Sequence, residues 1–266
     1  MDINLLLILL ALGAVVGGVA GLFGVGGGGI MVPALTTLFV GKGFPPDQVV
    51  HLALGTSMAA IVMTSFSSMR AHHARGVVLW AVVRHMTPGI LLGTFAATFL
   101  AIYLSSQHLA IFFACFMGYV ALQMILNVKP KPHRELPGAL GLASVGTGIG
   151  VVSALVAIGG GSLSVPYLTW CNVNIRHAIA TSAALGLPIA LAGTLGYLFN
   201  GWGQVGLPEY TLGFIYWPAV IVISLVSYFT TPYGAHLAHS LPIPTLKKGF
   251  AVLLVLLSLK MLYSVL

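Results

Sequence analysis

Two runs of glycine interrupt apolar stretches at matching places in this chain. One is Gly26, Gly27, Gly28 and Gly29, and the other is Gly159, Gly160 and Gly161, followed by Ser162. Without a Cβ, backbone in such a run can approach a bound group closely and adopt unusual dihedrals. A short apolar segment follows each, Ile30–Phe39 or Leu163–Trp170. Neither is long enough to span a bilayer, which takes about 20 residues. Read as half-helices, they start at membrane depth, with unpaired N–H groups and the positive end of the dipole exposed there. Two such ends brought together make a donor-rich seat for an anion. Further hydroxyl donors come from Ser162 and from a Thr-Ser pair in each half, Thr56-Ser57 and Thr181-Ser182.

The rival reading for each group is structural. Small residues four apart allow close helix crossings in membranes, and Gly13, Gly17 and Gly21 fit that role. Packing explains a run of consecutive glycines less well, since each costs a helix about 1 kcal/mol. Ser and Thr also bond back to their own helix, so for them only the repetition in both halves favours function. His51 and Arg176 stand at equivalent positions, five residues before the Thr-Ser pair, with His177 next to Arg176. These three form a secondary set; Arg176 reads mainly as an interfacial anchor. His51, His177 and His85 are the candidates to carry protons, weighed against the commoner interfacial histidine with no such role. His72-His73 and His236-x-x-His239 lack Cys or acidic partners, so no metal site and no cofactor is expected.

All four acidic residues, Asp2, Asp47, Glu135 and Glu209, fall at ends or in connections. No apolar span holds a carboxylate, which removes the usual cation ligand and proton relay and favours an anionic substrate. The same absence leaves no credible catalytic triad or paired-carboxylate enzyme. An anion channel on the same scaffold is the alternative to a carrier.

The elements that must hold these residues follow from composition. The chain is 58% hydrophobic and 6% charged, which excludes an ordinary soluble domain. Eight apolar runs approach or exceed a bilayer's thickness: Leu5–Leu22, Leu52–Ser68, Val77–Leu104, Ala110–Val128, Ala139–Ile158, Ala178–Phe199, Leu212–Thr230 and Leu246–Leu266. Unbroken apolar runs span lipid as helices, so the fold class is an all-α integral membrane protein. Cys115 and Cys171 show no metal spacing and read as packing residues.

Aligned without a gap, 13–36 and 146–169 share Gly13/Gly146, Gly17/Gly150, Leu22/Leu155, the three glycines, Val32-Pro33/Val165-Pro166 and Leu35-Thr36/Leu168-Thr169. The net charge of +7 is not spread evenly. Arg70, Arg75 and Arg84 fall in one connection, Lys129, Lys131 and Arg134 in another, and Arg176 and Lys247-Lys248 mark two more. The intervening 105–108 and 200–210 carry no Lys or Arg, which is the positive-inside alternation rather than a nucleic-acid surface. On this orientation nine of the eleven basic residues are cytoplasmic, and corresponding helices of the two halves point oppositely. The expected architecture is two inverted-topology repeats, 1–127 and 138–266, joined by a proline-rich cytoplasmic linker at 128–137. Trp80, Trp202, Trp217 and Tyr210 fit an aromatic belt.

The doubled motif, Gly26-Gly-Gly-Gly-Ile-Met-Val-Pro33 and Gly159-Gly-Gly-Ser-Leu-Ser-Val-Pro166, each followed by a Thr-Ser segment, resembles the sulfite exporter TauE/SafE family over essentially the whole chain. The resemblance implies a multi-pass carrier in the bacterial inner membrane for anions such as sulfite, sulfonates or sulfoacetate, commonly in the export direction. The implied partners are that small anionic substrate and the lipid bilayer; a homo-oligomer stays open. Ser162 replaces Gly29 in the second copy, which makes the half-sites chemically unequal.

Cysteine-accessibility mapping tests the orientation. Residues 70–84, 128–137 and 232–247 are expected in the cytoplasm, and 104–108 and 200–211 outside. Finding 70–84 and 200–211 on one side would remove the inverted arrangement.

Overall fold

The computed structural model describes residues 3–23, 27–126, 134–237 and 243–265. Helices fall in two sets of five: α1 (Ile3–Phe23), α2 (Gly28–Gly41), α3 (Val49–Ala74), α4 (Trp80–Ile102) and α5 (Ser106–Leu126), then α6 (Ala139–Val156), α7 (Gly161–Trp170), α8 (Ile175–Asn200), α9 (Trp217–Leu237) and α10 (Ile243–Val265). Seven of them are long and apolar enough to cross a bilayer. The chain is thus an all-α membrane protein. At about 21 and 15 Å, α2 and α7 cannot span a bilayer. Gly26 and the linker residues 127–133, with Lys129 and Lys131, lie outside the described residues.

Several expected boundaries move. Residues 212–216, read above as the start of a spanning helix, instead belong to a two-stranded hairpin, β1 (Thr211–Leu212) paired with β2 (Ile215–Tyr216). Its turn needs Gly213 at φ +56°, and the Phe214 N–H donates to the Tyr197 carbonyl at 3.1 Å. α9 therefore begins only at Trp217. Arg70 and Arg84 lie on α3 and α4 rather than in a connection, because α3 continues to Ala74.

Glycine decides which helices touch most closely. A methyl group at Gly17 of α1 would overlap Thr230 and Ser227 of α9, and one at Gly13 would press on Ile223 and Val226. Gly89 and Gly93 of α4 lie against the Ala143 and Thr147 carbonyls of α6, while Gly146 and Gly150 of α6 lie against Met86 and Ile90. Rising numbers meet rising numbers, so α1 runs parallel to α9 and α4 parallel to α6. These are the two most extensive helix contacts in the bundle. They are small-residue crossings of the kind that substitute for a hydrophobic driving force in lipid.

Long-range hydrogen bonds then sort the connections into two ends. At one end the Ser106 hydroxyl donates to the Asp47 carbonyl at 2.7 Å, and Gln48 reaches the Val205 carbonyl at 3.5 Å. At the other, His177 meets the Val77 carbonyl at 2.9 Å, and the Arg134 guanidinium sits over the Trp170 ring at 5.1 Å. Since Arg134 precedes α6 and Trp170 ends α7, this pair enters and returns at one end. Arg75, Arg134 and Arg176 share that end, called the basic end below. α3 runs toward the basic end and α8 away from it, so these two central helices are antiparallel.

Gly17→Val or Gly93→Val is therefore expected to lower thermal stability, at the typical overpacking cost of about 1–3 kcal/mol or more. Gly118→Ala and Gly148→Ala, where the added methyl meets open space, are the controls. Thermal unfolding of the four purified variants separates the outcomes; equal melting of both pairs would contradict the packing role.

Candidate functional site

Both glycine runs do what a helix start inside the bundle requires. Gly27 precedes α2 at φ +78° and Gly160 precedes α7 at φ +74°, both left-handed conformations that strain other residues. Neither helix has a side-chain cap. The carbonyls of Gly27 and Gly160 accept the first helical bonds, from Ile30 and Met31 and from Leu163 and Ser164. Ahead of α7 the Gly160 and Gly161 N–H groups close tight turns onto Ile158 and Gly159, at 2.8 and 2.9 Å. These glycines are buried, and the two breaks meet: a methyl at Gly28 would overlap the Ala157 carbonyl, where α6 ends in a left-handed residue at φ +47°. The tip of α1–α2 thus touches the tip of α6–α7.

The Thr-Ser pairs divide their labour. Thr56 of α3 accepts the Tyr216 N–H at 3.0 Å, and Thr181 of α8 accepts the Leu79 N–H at 3.0 Å. Each threonine of one half thereby holds the extended segment leading into α9 or α4 of the other. The neighbouring serines do not share this duty: the buried Ser57 and Ser182 hydroxyls have no protein partner. Ser162 and Ser164 on the first turn of α7, and Ser153 near the end of α6, are unpartnered too. A methyl at Gly160 would stand 2.9 Å from Ile189 Cδ1, 3.5 Å from the Ser164 hydroxyl and 3.8 Å from the Ser182 backbone carbonyl, so one apolar and two polar groups lie beside the second break. Gly186 of α8 faces both the Gly159 carbonyl and the Ser65 hydroxyl.

Around the first break the neighbours are apolar. Val16 backs Gly27, Ile61 faces Gly28, and Leu254 and Met117 face Gly29. Ser162, Ser164 and Ser153 align with Gly29, Met31 and Ala20 of the first copy. Sequence reasoning picked out Ser162 but missed Ser164 and Ser153, although the same alignment held the signal.

The secondary residues lie elsewhere. Arg176 is exposed on the first turn of α8, and Asn174 caps that helix by accepting the Arg176 N–H at 3.0 Å. His177 is tied to the Val77 carbonyl near the basic end, and His51 to the Ala101 carbonyl near the opposite end. Among the described residues, no three His, Cys, Asp or Glu gather as a metal site.

A helical bundle with paired half-helices whose broken tips meet in its interior defines a multi-pass membrane transporter. The TauE/SafE sulfite exporter profile matches residues 9–261, and the chain belongs to that family. It is 40% identical over 258 residues to a "Probable membrane transporter protein" of Haemophilus influenzae, covering 96% of this chain and 97% of the relative. A protein of the same description from Xylella fastidiosa is 29% identical over 74% of each chain. "Probable membrane transporter protein YunE" of Bacillus subtilis is 24% identical over 97% of each. No solved structure matches. Family and relatives are described as transporters rather than enzymes, and they place the chain as a multi-pass protein of the bacterial membrane.

Removing the threonine hydroxyls takes away the acceptor of one buried and one half-buried N–H group. Thr56→Val and Thr181→Val are expected to destabilise by about 1–3 kcal/mol each. Amide exchange should rise at 213–217 in the first and at 77–80 in the second. Ser57→Ala and Ser182→Ala should leave that exchange unchanged; a rise there would contradict the division of roles.

Proposed function

We propose that this protein is a secondary carrier of a small sulfur-containing anion, such as sulfite, a sulfonate or sulfoacetate, acting in the export direction. The anion sits between the amino ends of α2 and α7, and the second break provides the main grip. One observation carries this reading: three buried or half-buried serine hydroxyls, Ser162 and Ser164 on the first turn of α7 and Ser182 of α8 beside it, lack partners at an uncapped half-helix end. Unmade hydrogen bonds of buried polar groups are costly, so a ligand with several acceptor oxygens suits these donors. The helix dipoles add positive potential where no carboxylate opposes it. Gly26 to Gly29 and Gly159 to Gly161 let the anion approach backbone, while the apolar first break limits the size of its non-oxyanion part.

The carrier reading extends to the whole fold. The halves 1–127 and 138–266 are related by inversion, with the basic end cytoplasmic; the antiparallel α3 and α8 support this. Thr56 holds the segment entering α9 about 10 Å along α3, and Thr181 holds the segment entering α4 at a similar depth along α8. Releasing one hold at a time would open the seat to one side and then the other, as a carrier requires.

Calorimetry on purified protein, across sulfite, thiosulfate, sulfate, short sulfonates and carboxylates, tests the seat. Gly160→Leu and Gly27→Leu are expected to abolish binding while the protein still inserts. Ser162→Ala, Ser164→Ala and Ser182→Ala should each weaken it by about 1–3 kcal/mol. Wild-type affinity in a folded Gly27→Leu/Gly160→Leu double variant would sink the proposal, and conductive, non-saturating flux would favour a channel.

A further inference from the structure

Opposite the basic end lies a cavity of about 370 Å³, lined by Asp47, Gln48, His51, Tyr103, Gln204 and Phe214 among others. His51 belongs to the first turn of α3 and is 5% exposed. Its Nε2 lies 3.0 Å from the Ala101 carbonyl oxygen. A carbonyl only accepts, so Nε2 carries the hydrogen and the neutral ring keeps a lone pair on Nδ1. That Nδ1 is buried and has no hydrogen-bond partner. The Phe214 ring covers the imidazole at 5.3 Å between centroids. The imidazole is therefore oriented by one bond, roofed by one ring, and left with one buried, unpartnered nitrogen at the edge of a polar cavity.

We infer that His51 is a proton-binding site of the carrier, loaded through this cavity from the side opposite the basic end. The step is a proton transfer. Hydronium in the cavity gives its proton to the Nδ1 lone pair, its O–H bond breaks to leave water, and the Nε2–H bond to Ala101 persists in the imidazolium. Histidine is the residue suited to this because no apolar span contains a carboxylate and its charge changes near neutral pH. The other titratable groups at the cavity are Asp47, from the connection before α3, and Tyr103, from the end of α4. His108 of α5 stands behind it, bonded to the cavity residue Ser105 at 2.6 Å. From the α8–α9 connection and the hairpin come only Gln204 and Phe214, which do not titrate. Among the described residues that line the cavity, Asp47 is the only carboxylate. His177 differs, since its Nδ1 already meets the Val77 carbonyl at the basic end.

The coupling role rests on the carrier reading above, and two readouts keep the two apart. Nitrogen NMR of histidine-labelled full-length protein in nanodiscs, assigned by the signal lost in His51→Gln, is expected to show an Nε2–H tautomer that becomes the imidazolium on acidification across the pH range in which the protein stays folded. A His51 signal that stays neutral throughout would overturn the proton site whatever the flux. In proteoliposomes, wild-type flux of sulfite or methanesulfonate should respond to an imposed pH gradient. His51→Gln, verified as monodisperse, should lose that response, and His85→Gln should keep it. A wild-type response in His51→Gln would overturn the coupling role. No flux of either anion by the wild type would overturn the carrier reading, and the coupling with it, while a titrating His51 signal would still stand as a proton site.

Discussion

A helix that stops halfway through a bilayer leaves several N–H groups with no water to satisfy them, so irregular backbone at that depth survives only when enclosed by protein. This chain makes that stop twice, at Gly27 and at Gly160, and the rest of the bundle encloses the two stops. Gly28 lies against the Ala157 carbonyl, so each broken tip covers part of the other. The antiparallel α3 and α8 wall the tips from either side, and α1–α9 and α4–α6 close the arrangement through glycine crossings. Had those crossings used larger residues, the helices would stand farther apart and water or lipid would reach the breaks. The small residues at 13, 17, 89, 93, 146 and 150 serve the site indirectly, by keeping it enclosed.

Enclosure solves only half the problem, because the hydroxyls gathered at the second break find no protein partner. The two ends align in sequence, yet unpartnered hydroxyls gather at the second and apolar side chains at the first. Ser162 and Ser164 stand where the first copy has Gly29 and Met31, and Ile61 occupies the position that Gly186 holds in the second half. On the anion reading proposed above, the oxygens would face the second break and any apolar body the first. The proton site inferred at His51 would then act at a distance from the seat, through α3, which carries both His51 and Ser57.

Much of this was legible from residues alone. Run lengths and low charge specified the spanning helices, and the glycine runs located both breaks to within a residue or two. What failed had a common cause. Residues 212–216 are apolar enough to pass for membrane helix, and only docking against Tyr197 of α8 selects the hairpin. Thr56 and Ser57 look interchangeable in sequence. Their roles separate because Tyr216, 160 residues away, presents an N–H to one and nothing to the other. His51 and Arg176 align, yet one is buried beside a cavity and the other is exposed at a helix start. In each case the deciding contact is remote in sequence, where local pattern carries no signal.

The most direct test of the central claim is an anomalous-scattering map of the full-length protein with a selenium oxyanion in place of its sulfur counterpart. A selenium peak beside the amino end of α7, with its oxygens within hydrogen-bonding distance of the Ser164 and Ser182 hydroxyls, is the result this account predicts. A peak confined to Arg176 or to the cavity at His51, with the glycine breaks unoccupied, would contradict it.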